Sequence, residues 1–137
     1  MDVCRAEILH TSILAPPQDV VAFLGDLATW PSWAPWIRSV SRTAERAWTL
    51  ETDAGRMQVQ LVEPNALGVL DHHVTLDSGR TVFNSMRVIP NGGGSELVMT
   101  IFQQAGVSAA EFERDVRAVR DDLGRLKRAA EGFRRGT

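Results

Sequence analysis

Ser108-Ala109-Ala110-Glu111 opens the stretch that most constrains how this chain folds. A serine followed three residues later by glutamate is a capping box, in which each side chain satisfies one N–H left free at a helix start. Phe112, Val116, Val119, Leu123, Leu126, Ala130 and Phe133 then recur at alternating spacings of four and three. That period draws one apolar stripe along a helix of roughly 25 residues, about 40 Å long at ~1.5 Å per residue. The other faces mix acids and bases, with Glu113→Arg117 and Asp121→Arg125 spaced for i,i+4 pairs. A helix apolar on one side needs a surface to cover it. A coiled-coil partner is one solution; a sheet of the same chain is the other, and the remaining sequence supplies that sheet.

From residue 37 to 103, short β-rich runs alternate with turn residues, as in a meander of hairpins. The predicted strands are 38–42, 46–52, 56–63, 68–76, 80–89 and 95–103, preceded by a first strand at 6–14. Between them lie Asp53-Ala54-Gly55, Pro64-Asn65, Asp77-Ser78-Gly79 and Pro90-Asn91-Gly92-Gly93-Gly94. Glycine and asparagine accept positive φ and proline cannot donate to a ladder, so each of these breaks a strand. After the first strand, Pro16-Pro17 marks a helix start, and Val20, Val21, Phe23, Leu24 and Leu27 suit a short helix buried on one side. Thr29 is expected to cap a further single turn that tolerates Pro31 and that Pro35 stops.

Strand side chains alternate between faces, so parity sorts them. Trp48 and Leu50 share a face, as do Met57, Val59 and Leu61, and an even-numbered loop between them puts both sets on one side. Leu70, His72, Val74 and Leu76 oppose Asp71, His73 and Thr75. A three-residue loop with Gly79 at its left-handed position pairs Leu76 with Arg80. Counting inward then sets Val74 opposite Val82, His72 opposite Asn84 and Leu70 opposite Met86. Leu97, Met99 and Ile101 complete an apolar inner wall whose polar groups are His72 and Asn84. Such a wall suits a small-molecule cavity.

Composition narrows the function classes. With 137 residues, 44% hydrophobic and 23% charged, the chain has the size and balance of one globular domain spanning 1–137. A formal charge of -2 points neither to nucleic acid nor to anionic membranes as partners. Cys4 is the sole cysteine, which excludes an internal disulfide and fits a reducing compartment. The N-terminus lacks the pattern of a signal peptide, and no apolar run approaches the ~18 residues of a membrane span, so a cytoplasmic protein without stable membrane insertion is expected. Nucleophile elbows, metal-ligand spacings and dinucleotide fingerprints are missing, and no cofactor or metal is expected.

The order strand, two short helices, six antiparallel strands, long helix resembles the START/Bet v 1-like (SRPBCC, polyketide cyclase/dehydrase-like) superfamily. The local carriers are Pro16-Pro17, the segment Trp30-Pro31-Ser32-Trp33-Ala34-Pro35-Trp36, and the capped terminal helix ending in Asp122-Leu123-Gly124-Arg125-Leu126-Lys127. The resemblance implies an α+β helix-grip fold: a curved antiparallel sheet of about seven strands wrapped around the C-terminal helix, enclosing a cavity. Members of the superfamily include lipid carriers, cyclases, hormone receptors and chaperone activators, so the fold alone does not select an activity.

Three functions follow as expectations. The first is binding or transport of a small hydrophobic molecule, such as a lipid, polyketide or isoprenoid, by a monomer or homodimer. The expected ligand-binding residues are Trp33, Trp36, Trp48, Leu50, Met57, Val59, His72, Val74, Asn84, Met86, Met99, Val116 and Val119. The second is a cofactor-independent cyclase or aromatase, with His72 as acid/base group and Asn84 steering a carbonyl. The third is an interaction module of the chaperone-activator type. His72 has a plainer reading as a core histidine bonded to Asn84 or water. Trp30, Trp33 and Trp36 form either the lip of a cavity or a plug at the end of the sheet. Asp71 and His73 are expected to pair on the outer face, where parity also puts Arg87.

Overall fold

The hairpin turns set the sheet. Thr52 pairs with Gly55 across a two-residue loop, and Leu76 and Arg80 are joined across a three-residue loop in which Gly79 has φ +86°. In the computed structural model, which describes residues 2–133, the elements run β1 (Ala6–Ile13), α1 (Pro17–Gly25), a 3₁₀ turn (Leu27–Ser32), β2 (Ile37–Ala44), β3 (Ala47–Thr52), β4 (Gly55–Leu61), β5 (His72–Leu76), β6 (Thr81–Asn91), β7 (Gly94–Phe102) and α2 (Ala109–Gly132). Met1 and residues 134–137 of the expected domain lie outside the described range.

All seven strands form one curved antiparallel sheet in the order β1-β7-β6-β5-β4-β3-β2. β1 and β2 follow each other in the chain but occupy opposite edges, so α1 and the 3₁₀ turn have to cross one end of the sheet. Val20, Phe23, Leu24, Leu27 and Trp30 are buried there. Ser108 caps α2 by accepting from the Glu111 N–H at 3.2 Å. Phe112, Val116, Leu123, Leu126 and Ala130 of the stripe are buried within the chain's own core and Val119 is half-buried, so the sheet is the helix's cover. Burying a side chain such as Phe112 or Leu126 contributes ~1.5–3 kcal/mol each. α2 is also tied to the β1 edge, where Lys127 Nζ donates to the Ser12 carbonyl at 2.8 Å and the Leu14 N–H to Glu131 at 2.8 Å. On the outer face, Glu96 accepts from Ser12 and lies 2.7 Å from His10 Nδ1, and these contacts hold its carboxyl at about 2.

Four local expectations are corrected. The run 68–76 is strand only from His72 onward, because the Asp71 carboxylate takes the Met86 N–H at 2.9 Å in place of a backbone carbonyl. Gly68 there has φ +75°, and a Cβ would fall 2.1 Å from the Val88 carbonyl oxygen. A bridge between Val69 and Arg87 and the Leu70 N–H to Met86 carbonyl bond still keep the expected register. β6 runs through Pro90 to Asn91, beyond β5's last pairing partner, so no β5 carbonyl awaits the missing proline N–H and the turn is Gly92-Gly93. The 3₁₀ turn starts earlier than expected, capped by Asp26 accepting from the Ala28 N–H; the Thr29 hydroxyl instead donates to the Phe23 carbonyl. On α2, Glu113 meets the tertiary partner Arg5, and Arg125 takes Asp122 at i,i+3 rather than Asp121, where the Trp33 carbonyl and the Trp36 N–H hold the two side chains.

Candidate functional site

Between the concave face of the sheet and α2 lies a cavity of about 480 Å³. Cross-strand register builds its wall: Leu50 pairs with Met57, Val74 with Val59 and Val82, His72 with Asn84, and Met86 with Met99. Burial grades along it. Trp30, Trp33, Leu50, Val59, His72, Val74, Met86 and Leu123 form a buried end, and Trp36, Met57, Leu76, Val82, Asn84, Met99 and Val119 are half-buried. Asp115 and Ala118 are exposed and mark the mouth. Lined this way, the cavity resembles a small-molecule site, mostly apolar with a few polar groups.

Two residues expected at the site line no part of this cavity. Trp48 shares a face with Leu50 but is one rung further along, in a groove beside Val21 and Gly25 of α1, with the Arg42 guanidinium 5.5 Å from its ring. Val116 lies on the side of α2 that also carries Arg120 and Lys127, which the Lys127–Ser12 bond turns toward β1. The expected set omitted Trp30, Leu76, Val82 and Leu123, which the sequence marks as apolar without assigning them to the ligand, and Asp115, Ala118 and Asp122, which flank the apolar stripe on the cavity side. The aromatic segment divides its duties. Trp30 and Trp33 pack 5.4 Å apart as buried wall, with Trp30 Nε1 donating to the Leu24 carbonyl at 2.9 Å. Trp36 stands nearer the mouth, and its Nε1 donates to Asp122 Oδ2 at 3.0 Å. Arg125 joins them, its Nε donating to the Trp33 carbonyl at 3.0 Å and its Nη2 to Asp122.

The polar groups of the wall differ from expectation in their roles. His72 is 3% exposed, packs edge-on against Trp30 at 5.3 Å, and places Nδ1 3.0 Å from the Leu70 carbonyl. A carbonyl only accepts, so Nδ1 carries the proton and Nε2 is a bare acceptor. Burial pushes the imidazole below its ordinary range and keeps it neutral at neutral pH. His72 therefore suits accepting a proton or hydrogen bond better than donating one. It does not bond Asn84, whose side-chain amide makes no hydrogen bond among the described residues. Trp33 Nε1 is a buried donor with no partner among the described residues.

On the outer face, Asp71 pairs with Arg87 at 2.9 Å and not with His73, which stacks on Phe83 at 5.3 Å. Burial pushes the Asp71 carboxyl up, and the Arg87 guanidinium with the Met86 N–H more than reverses this, leaving it below its ordinary value. The pair holds 68–71 against β6 and is remote from the cavity in role. Cys4 is exposed, and among the described residues no cluster of histidine, cysteine and carboxylate side chains has the geometry of a metal centre. A second groove of about 520 Å³ runs outside, between α1 and residues 65–68, without an ionisable side chain in its lining. No described helix is long and apolar enough to cross a membrane.

A curved seven-stranded antiparallel sheet closed over a long C-terminal helix around such a cavity is the helix-grip fold of the START/Bet v 1-like superfamily. Solved structures agree. The Zhui aromatase/cyclase from Streptomyces sp. R1128 superposes with a TM-score of 0.72 at 18% identity, covering 93% of this chain and 93% of that one. An uncharacterized protein from Bacillus thuringiensis gives 0.72 at 17% identity over 92% and 98% of the two chains. Ara h 8.0201 gives 0.66 at 14% identity over 93% and 95%. At these identities the likeness establishes the fold alone. No curated protein sequence matches the chain. The chain belongs to the family described as polyketide cyclase / dehydrase and lipid transport, which it matches over residues 8–131.

Proposed function

We propose that this protein binds a small apolar molecule in the cavity between α2 and the sheet, and holds it for transport or presentation. The observation that carries this is an interior left open behind Met86 and His72, where close packing is the rule for protein cores. At about 480 Å³ the space falls in the range of ordinary ligand sites and accommodates a fused-ring or chain-like apolar ligand. Native mass spectrometry of freshly purified protein, and titration with the neutral fluorophore N-phenyl-1-naphthylamine, test it. Saturable uptake at one site per chain is expected; no uptake, with no co-purified mass, removes the reading.

A second reading is favoured by His72 itself. A neutral imidazole with a bare Nε2 in an apolar wall is equipped to act as general base on a ligand enclosed beside it, as in cofactor-independent ring closure. The family description and the Zhui aromatase/cyclase likeness support considering it. On a confirmed substrate, His72→Gln is expected to lower turnover at least tenfold while binding is retained. Unchanged turnover would leave the protein a carrier.

A further inference from the structure

We propose that the cavity selects a neutral ligand bearing a hydroxyl group and rejects organic carboxylates, with His72, Asp115 and Asp122 as the selecting residues. This names the ligand chemistry of the site and rests on the cavity being where the ligand binds. Among the described residues, the ionisable side chains of the lining are His72, Asp115 and Asp122, and no lysine or arginine joins them. Arg125 is the cation held next to Asp122, and it is spent on that carboxylate and on the Trp33 carbonyl.

Each end of the cavity makes its own demand. At the buried end, His72 commits its N–H to the Leu70 carbonyl and leaves Nε2 as an acceptor in an apolar wall. An alcohol or phenol supplies the donor that this nitrogen lacks, and an ether or hydrocarbon leaves it unpaired. At the mouth, Asp115 is exposed and forms no ion pair among the described residues. A carboxylate ligand passes this negative edge and is then desolvated without a cation to meet it. An ammonium ligand passes the edge but meets a wall whose one inner carboxylate, Asp122, already holds Arg125 and the Trp36 N–H.

Isothermal titration of the full chain with probes sharing one ring system tests this: 2-naphthol, 2-methoxynaphthalene, 2-naphthoate and 2-naphthylmethylamine, all at neutral pH. The expected order puts 2-naphthol roughly tenfold tighter than 2-methoxynaphthalene, the worth of one hydrogen bond, and both tighter than 2-naphthoate. His72→Leu is expected to bring the naphthol-to-methoxynaphthalene ratio close to unity. Asp115→Asn, at an exposed position where folding is not at stake, is expected to strengthen 2-naphthoate severalfold. Binding of 2-naphthoate or the amine as tight as 2-naphthol, or a wild-type ratio near unity, overturns the proposal and leaves the binding function standing. Failure of every probe to bind overturns both.

Discussion

Two side chains next to each other in the chain, Asp71 and His72, do opposite work because the extended backbone entering β5 turns them to opposite faces. Asp71 replaces a ladder carbonyl at the Met86 N–H and anchors Arg87. Asp71→Ala is expected to cost about 1–3 kcal/mol, read from urea unfolding, since a buried N–H loses its acceptor. Asp53→Ala, which breaks the exposed Arg38–Asp53 pair at 2.8 Å, is expected to cost under about 1 kcal/mol. Equal losses would show that burial does not set the difference. His72 gives a pH signature. Burial lowers its folded-state value below the 6.5 of the unfolded chain, so the unfolded state takes up the proton first. Its contribution is complete above about pH 6.5 and declines as pH falls below that, with a slope of at most about 1.4 kcal/mol per pH unit. The lowered carboxyls of Asp71 and Glu96 act only further down, below their ordinary 3.8 and 4.5. Urea midpoints measured between about pH 6.5 and 5 should therefore fall for the wild type and flatten for His72→Gln.

Among the elements, the segment before β5 is where local pattern and structure part. Residues 68–71 alternate like a strand and keep its register on β6, yet the Asp71 carboxylate interrupts the ladder at the Met86 N–H, and Gly68 packs closely on the Val88 carbonyl. Gly68 and Gly79 share a positive φ but not their surroundings, for nothing lies within 4 Å of a Cβ placed at Gly79. Gly79→Ala is expected to cost about 1 kcal/mol from backbone strain, and Gly68→Ala at least about 2 kcal/mol more from the added clash. Thermal unfolding of both variants measures the difference; similar shifts would mean the 68–71 segment relaxes freely. α2 was the most legible element, because its cap and its period are written in adjacent turns. Its cavity-facing flank was not. Asp115, Ala118 and Asp122 are polar or small, and a stripe of large apolar residues carries no mark of which flank borders an open space.

At the scale of the whole molecule, the proposed binding depends on α2 standing off from the sheet far enough to leave about 480 Å³ unfilled. Ala118 sits exposed at the mouth, so Ala118→Trp is expected to lower N-phenyl-1-naphthylamine affinity at least tenfold with a melting temperature within a few degrees of wild type. Retained affinity would place the entrance elsewhere. The registers of the β3–β4 and β5–β6 hairpins, most of the inner face, the His72–Asn84 pairing and the grip of the terminal helix were determined by the sequence, because alternation, turn residues and helical period are properties of neighbours along the chain. The tertiary structure alone decided that Trp36 meets Asp122, 86 positions away, and that Asp71 takes Arg87 instead of His73. It also decided that Trp48 leaves the cavity to Trp30. Those outcomes depend on how elements approach in space, where each polar group takes whichever partner the packing brings within reach.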